Sequence, residues 1–144
     1  MGSNLIGIGY EGLDLDGLVS RLRLRDVSTV VDVRLTPISR KKGLSKTALS
    51  QRLISEGIAY EHLPSLGNPR VNREGFADTN GDEGREARDR FGEVLDADDA
   101  LKGLDRVLEL TKAGPVALLC FEADETRCHR ELVLAALRTR LVDA

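Results

Sequence analysis

The sequence is poor in aromatic residues, with no tryptophan, two tyrosines and three phenylalanines among 144 residues. Aliphatic side chains must therefore fill most of its core. The chain also lacks any apolar run close to the roughly 20 residues that a membrane-spanning helix requires. Its first ten residues, MGSNLIGIGY, have no charged start followed by a long apolar region. A secretory signal and a membrane partner are therefore not expected.

Cysteine is also scarce, since the chain has only Cys120 and Cys128. Two cysteines in an acidic chain without a signal predict free thiols and a cytoplasmic location. The net charge of −3 argues against general electrostatic attraction to nucleic acid. The length, with 41% apolar and 31% charged residues, predicts one domain spanning 1–144. The oligomeric state is left open.

Short apolar segments alternate with segments of helical spacing along the chain. The predicted strands cover residues 4–8, 28–33, 58–62 and 116–119. The predicted helices begin near residue 14 or 16 and then cover 46–56, 85–95, 97–113 and 131–137. This order predicts an α/β fold: a single doubly wound, mostly parallel sheet of about four to five strands with helices on both faces. Residues 71–84 are predicted to form an irregular excursion that could be mobile.

Polar residues follow the predicted strands, and the loops after parallel strands share the edge of the sheet where ligands bind. The richest of these loops leads from Cys120 to the last helix and contains both cysteines and one of the two histidines. We therefore expect the site at this edge. The candidate catalytic residues are Cys120, Cys128, His129, Glu122 and Asp32.

The glycines after the first strand need a separate interpretation. Gly7–Gly12 matches GxGxxG, and Asp32 follows at the end of the next strand, so a dinucleotide-binding turn is one hypothesis. Glu11 would then place a carboxylate against the pyrophosphate, and the helix begins only after the glycines. These features favour a structural turn, and no cofactor is predicted. Tyr10 and Glu11 could still point into a site.

Asp32 is an acid within an apolar strand, where a carboxylate must be paired or hydrogen-bonded. Arg34 is close in sequence, but we expect it on the opposite face of the strand, so Asp32 should pair with a neighbouring loop. Asp32 could be a structural brace or a site residue. His62, near the end of the third strand, could likewise be a hydrogen-bonded structural residue or a ligand contact.

The segment between Asp32 and Glu56 has six basic residues and no acid. Hydroxyl groups accompany them, and Ser45 is predicted as the N-cap of the helix that begins at Lys46. This pattern predicts an anion site, with a solvated loop or a nucleic-acid- or protein-binding surface as alternatives. The expected ligand contacts are Tyr10, Glu11, Arg34, Ser39, Arg40, Lys41, Lys42, Ser45, Lys46, His62 and Arg130.

Three kinds of chemistry remain open at this edge. Cys128 lies at a predicted helix N-terminus, where the helix dipole lowers the pKa of a thiol, although nearby acids oppose a thiolate. Cys120, Cys128 and His129 could instead bind a metal, but the C-x7-C-H spacing does not match the usual C-x2-4-C pairs, so no metal is predicted. The leading hypothesis is an enzyme-like site that binds a phosphate- or nucleotide-type anion, with Glu122 or another acid as base.

Five motifs in order along the chain resemble the domain-of-unknown-function 488 family. They are Ile8–Gly12, Val31–Arg34, the Ser39–Ser45 basic stretch, Tyr60–Pro64 with Leu66-Gly67, and Leu119–Glu122 with Cys128–Arg130. The resemblance implies a small cytosolic bacterial or archaeal α/β domain whose motif residues gather at one site, without a settled activity. The chain has a looser similarity to rhodanese-like domains, which implies sulfur transfer by analogy only.

Overall fold

The computed structural model describes residues 4–143, of which 142 and 143 are described by their backbone alone. Its sheet has four parallel strands in the order β1-β4-β2-β3. The strands are β1 (Leu5–Gly9), β2 (Thr29–Asp32), β3 (Ala59–His62) and β4 (Val116–Cys120). The predicted parallel sheet is confirmed, and each strand bound lies within one residue of its prediction. All five residues of the central strand β4 are buried, as expected for a strand covered on both faces.

Five α-helices accompany the sheet. They are α1 (Leu15–Leu24), α2 (Lys46–Ser55), α3 (Asp82–Leu95), α4 (Asp98–Thr111) and α5 (Arg130–Asp143). The predicted helices are all present, but α3 begins three residues before the predicted start and α5 continues beyond residue 137. Within residues 4–143, no helix combines the length and apolarity that crossing a membrane would require.

Alternating side chains of the strands divide the core into two layers. In β4, Leu118 and Cys120 point to the layer that holds α3, α4 and α5. Ala117 and Leu119 point to the layer that holds α1 and α2. This period of two confirms the predicted helices on both faces of the sheet, and it places Cys120 beside the start of α5.

The glycine-rich connection after β1 forms a turn that precedes the helix. Helix α1 begins only at Leu15, and the side chain of Asp14 caps it by accepting a 2.7 Å hydrogen bond from the backbone N–H of Gly17. In a dinucleotide-binding turn the helix opens within the glycines instead. The geometry therefore agrees with the structural turn that the sequence favoured.

The segment predicted as an irregular excursion contacts the rest of the protein. It contains short 3₁₀ turns at Arg70–Asn72 and Glu74–Ala77. Phe76 is buried in the core, and the Asn72 side chain donates a 2.8 Å hydrogen bond to the backbone carbonyl of Ala87 in α3. The segment is thus irregular in secondary structure and is held by buried tertiary contacts, and its mobility stays a prediction.

Candidate functional site

A cavity of about 80 Å³ opens at the carboxyl edge of the sheet, where β2 and β4 end. Its lining includes three buried residues, Cys120, Cys128 and His129, which we call the thiol cluster. Glu122 lies on its wall. Three arginines also line it, and we call them the arginine rim: Arg34, Arg73 and Arg127. The predicted convergence of loops from distant parts of the chain is therefore present.

The thiol cluster forms because a strand end and a helix start meet. Cys120 is the last residue of β4, while Cys128 and His129 come directly before α5. The Nδ1 atom of His129 lies 3.8 Å from the Sγ atom of each cysteine. Its Nε2–H donates a 2.8 Å hydrogen bond to the carbonyl of Val33, because a carbonyl oxygen can only accept. Nδ1 therefore faces both sulfurs, as an acceptor in the neutral ring and as a donor once the ring is protonated.

The two buried thiols differ in acidity because each one affects the pKa of the other. A hydrogen bond from Cys120 lowers the pKa of Cys128, and His129 lowers it further, although burial opposes the shift. The backbone N–H of Arg130 also points at Cys128 Sγ from 3.5 Å. The pKa of the Cys120 thiol is raised by its interaction with Cys128 and by burial. The pair therefore holds one negative charge on Cys128 more readily than two.

Glu122 brings a carboxyl group next to the cluster. Its Oε2 atom lies 3.4 Å from Cys120 Sγ. Burial raises the pKa of Glu122, and the nearby charge of Cys128 raises it further. This side chain can therefore hold or accept a proton at the cavity wall.

Asp32 and Arg34 form a buried ion pair, so the expected separation of these two side chains was wrong. Arg34 Nε lies 2.9 Å from Asp32 Oδ1, and the terminal nitrogen lies 2.7 Å from Oδ2. Residues two apart in an extended chain point to the same side, so the pairing follows from strand geometry. Burial disfavours the charged guanidinium, but the hydrogen bonds and charge of Asp32 outweigh it and raise the pKa of Arg34.

Two tyrosines complete this buried network. Tyr60 donates a 2.5 Å hydrogen bond to Asp32, and burial together with that bond raises the pKa of the Tyr60 hydroxyl. The hydroxyl of Tyr10 accepts a 3.2 Å hydrogen bond from Arg34, which also reaches the carbonyl of Leu44 at 2.7 Å. Tyr10 and Arg34 line the cavity, whereas Asp32 lies behind them and holds Arg34 in position.

Arg130 packs against residues 121–127, which we call the cysteine loop, and does not line the cavity, although it was predicted as a ligand contact. It is buried and donates hydrogen bonds to the carbonyls of Glu122, at 2.5 Å, and Ala123, at 3.2 Å. Its Nε lies 3.6 Å from Glu125 Oε1, beyond hydrogen-bond distance but within an ion pair. Arg130 therefore fixes the loop that carries Glu122.

Two other predicted contacts also serve the framework. Glu11 Oε1 accepts a 3.0 Å hydrogen bond from the backbone N–H of Ala123, so it ties the turn after β1 to the cysteine loop. His62 Nε2 lies 2.7 Å from the carbonyl of Arg34, to which it donates. Neither side chain lines the cavity.

A comparison with protein families identifies the family of this chain. The family model described as a domain of unknown function, DUF488, matches residues 14–137, which is most of the chain. The chain belongs to the DUF488 family. No curated protein and no solved structure gave a significant match.

In this DUF488 protein the basic segment between Asp32 and Glu56 contributes little to the cavity. Only Arg34 among its six basic residues lines the cavity. Lys41 donates to the backbone carbonyls of Tyr10 and Leu13, at 3.3 and 2.9 Å, and is thereby part of the framework. Arg40, Lys42 and Lys46 are exposed at the surface. The alternative that this basic segment binds nucleic acid or a protein stays a prediction.

The two serines of the basic segment hold its own loop together. Ser45 stands at the N-cap position of α2, but its hydroxyl makes no side-chain cap. It accepts a 2.9 Å hydrogen bond from the backbone N–H of Ser39 instead. The Ser39 hydroxyl accepts a 3.1 Å hydrogen bond from the backbone N–H of Lys41. The predicted N-cap position of Ser45 is therefore confirmed, but its hydroxyl serves the loop and does not cap the helix.

Two arginines of this DUF488 protein line the cavity but were not among the predicted ligand contacts. Arg127 belongs to the cysteine loop, and Arg73 to the segment interpreted as an excursion. Position in the cysteine loop could have identified Arg127. No sequence signal marked Arg73, since its place depends on how the 3₁₀ turns pack against α3.

Proposed function

We propose that the cavity is the active site of an enzyme that acts on a ligand with a small anionic head group, of the phosphate or nucleotide type. One observation supports this most: three arginines, the thiol cluster and Glu122 line a single cavity. Arginine is suited to oxyanions because its planar guanidinium donates two parallel hydrogen bonds. The two free thiols suit a reducing compartment, so we place the reaction in the cytoplasm.

The three arginines would contribute differently to anion binding. Arg34 is held rigidly, and the charge of Asp32 already compensates its own. Arg127 is largely exposed and lies 3.9 Å from Asp124, while Arg73 also lines the cavity and is exposed. Arg73 would therefore contribute its full charge, and Arg127 a charge that the exposed Asp124 offsets in part. Arg34 would supply a fixed donor that orients the anion.

The size of the cavity supports a head group as the occupant. About 80 Å³ is room for roughly five to eight waters, at about 10–15 Å³ for each. This space suits a single oxyanion and is too small for a whole nucleotide. Phe121 and Ile38, 42% and 73% exposed, lie at its mouth and offer apolar surface to the rest of the ligand.

The chemistry would take place at the floor of the cavity. An anion held by the arginine rim would face the sulfurs and the imidazole of the thiol cluster. Glu122, on the wall, would donate or accept a proton as the ligand reacts. The arginine rim would stabilise negative charge that develops during the reaction.

Calorimetric titration with inorganic phosphate at low ionic strength tests the anion site directly. We expect saturable binding that weakens with salt, because surface arginines contribute through screened charge. Arg127→Gln and Arg73→Gln should each weaken it about tenfold, since a hydrogen bond to a charged group contributes about 1.5–3 kcal/mol and exposure reduces this. Arg85→Gln is the matched control, because Arg85 is exposed and pairs with Asp82 in α3.

Absence of phosphate binding would contradict the proposal. So would equal binding by the wild type and both rim variants, because any binding would then occur elsewhere. A loss of the same size in Arg85→Gln would show that net charge alone controls binding.

A further inference from the structure

We propose that Cys120 Sγ, Cys128 Sγ and His129 Nδ1 bind a divalent transition metal of the zinc type, with the cavity side left open for a fourth ligand. This inference goes beyond the proposed function, since it concerns the floor of the cavity and does not require an anion to bind. Thiolate and imidazole ligands select such metals over magnesium or calcium. The three ligand atoms all lie within 4.8 Å of one another.

The distances within the cluster fit a tetrahedral centre. Metal–sulfur bonds of about 2.3 Å and metal–nitrogen bonds of about 2.0–2.1 Å, at tetrahedral angles, place sulfur and nitrogen about 3.6 Å apart and two sulfurs about 3.8 Å apart. His129 Nδ1 lies 3.8 Å from Cys120 Sγ and 3.8 Å from Cys128 Sγ. Small side-chain rotations would therefore complete the three bonds without a change in the backbone.

The imidazole is already oriented for this role. Metal-binding histidines almost always donate their second ring N–H to a carboxylate, carbonyl or water. Here Nε2–H donates to the carbonyl of Val33 at 2.8 Å, which fixes the tautomer with its free nitrogen towards the sulfurs. The ring of Phe91 packs edge-on against the imidazole with the centroids 5.2 Å apart. Both contacts hold the ring without blocking Nδ1.

The rest of the shell matches an open, catalytic type of site. Catalytic zinc sites use three protein ligands, in some enzymes two cysteines and one histidine, with water or substrate in the fourth position. The thiol cluster supplies that set, and its ligand atoms border the cavity. The Glu122 carboxylate, 3.4 Å from Cys120 Sγ, could occupy the fourth position or hydrogen-bond a metal-bound water. The backbone N–H of Arg130 would stabilise the Cys128 thiolate.

The unusual spacing of these ligands has a structural explanation. In zinc fingers a short C-x2-4-C turn carries two ligands, so sequence spacing reveals the site. Here Cys120 comes from a strand end, and the other two ligands come from the start of the next helix. Arg130 holds the seven-residue loop between Cys120 and Cys128, so the spacing of these ligands need not match that of a zinc finger. The spacing that argued against a metal thus does not exclude this site.

Cobalt titration of the full-length, reduced and metal-free protein tests the inference. We expect one Co²⁺ per chain, with thiolate-to-cobalt charge-transfer absorption and the intense visible bands of a tetrahedral complex. Elemental analysis of protein purified without metal-affinity chromatography should show zinc approaching one per chain. His129→Gln and Cys128→Ser should each weaken cobalt binding about a hundredfold or more, since even outer-shell changes cost 10–100-fold. His62→Gln is the matched control, because the chain has two histidines and His62 lies outside the cavity.

Circular dichroism of each variant separates loss of a ligand from loss of the fold. Should His129→Gln unfold, the wild-type cobalt spectrum and Cys120→Ser remain decisive. A wild-type spectrum without thiolate charge transfer at one equivalent of Co²⁺ would overturn the inference. Cobalt affinity unchanged in the folded variants among His129→Gln, Cys128→Ser and Cys120→Ser would overturn the inference as well, because the metal would then bind elsewhere.

Phosphate titration of the chelator-treated protein distinguishes this inference from the proposed function. Phosphate binding that depends on Arg127, together with no cobalt site, would end the metal inference and leave the anion site standing. A cobalt site without phosphate binding, in both the metal-free and the cobalt-loaded protein, would support the metal inference and contradict the anion site.

Discussion

Replacing Asp32 with Asn removes the charge that compensates a buried guanidinium while keeping the size of the side chain. Asp32 is fully buried and Arg34 is 5% exposed. Asp32 accepts two hydrogen bonds from the Arg34 side chain, one from its backbone N–H at 3.1 Å and one from Tyr60. Asn offers one side-chain oxygen and places an NH₂ group against donors on its other side.

The expected loss of stability follows from the burial of this pair. Removing one partner of a buried ion pair costs about 3–5 kcal/mol, because the other charge stays buried and unpaired. No cavity is created, since Asn is nearly isosteric with Asp, so we expect a loss near the lower end of that range. Domains of this size have unfolding free energies of about 5–15 kcal/mol, so the variant should still fold.

Urea denaturation followed by circular dichroism at pH 7 measures this loss as a lower midpoint at unchanged slope. Glu61→Gln is the control on strand β3, because its partner Arg106 is largely exposed and little change is expected. Asp32→Asn combined with Arg34→Met should recover part of the loss, because no unpaired charge would remain. A loss below about 1 kcal/mol for Asp32→Asn, or one equal to that of Glu61→Gln, would refute the reasoning.

Two further perturbations probe the loops around the site. A Cβ added at Gly9 would lie 1.9 Å from the backbone oxygen of Glu122, so Gly9→Ala should cost about 1–3 kcal/mol in urea denaturation. Gly92→Ala, in an open position of α3, should stabilise by up to about 1 kcal/mol, and equal effects would contradict the close approach. Hydrogen bonds from backbone N–H groups of the following turn hold the pKa of Asp78 below its usual range. Since the folded-state pKa is the lower one, the carboxylate stabilises the fold above the unfolded-state pKa, and this is lost as pH falls through the folded-state value. The stability gap between wild type and Asp78→Asn should therefore be present at pH 7 and close in acid, and a gap independent of pH would contradict this assignment.

The order of strands and helices was predictable because it depends on the local period of apolar residues. The run at Val116–Cys120 is apolar throughout, as expected of a central parallel strand, and it is the buried centre of the sheet. The stripe at Leu18, Val19 and Leu22 packs as α1 against the same sheet. Parallel strands then bring their following loops to one edge, so Cys120 and Arg34 could be expected to meet there.

The side-chain partners within that edge were not predictable in the same way. Arg127 lies in the cysteine loop and Arg130 is the first residue of α5, and they have the same chemistry, but of the two only Arg127 lines the cavity. Arg130 is drawn under the loop because the carbonyls of Glu122 and Ala123 need donors there. Lys41 likewise serves two backbone carbonyls, and nothing in its neighbours along the chain shows this.

By itself, the sequence determined the α/β order, the parallel sheet and the edge at which polar residues gather, because these follow from periodicity and from the geometry of strand connections. Only the tertiary structure decided that both cysteines face one imidazole nitrogen. That orientation depends on a hydrogen bond from His129 to the carbonyl of Val33, 96 positions earlier in the chain. A contact between residues so far apart leaves no periodic signal, since it forms only when two loops of the folded sheet pack together.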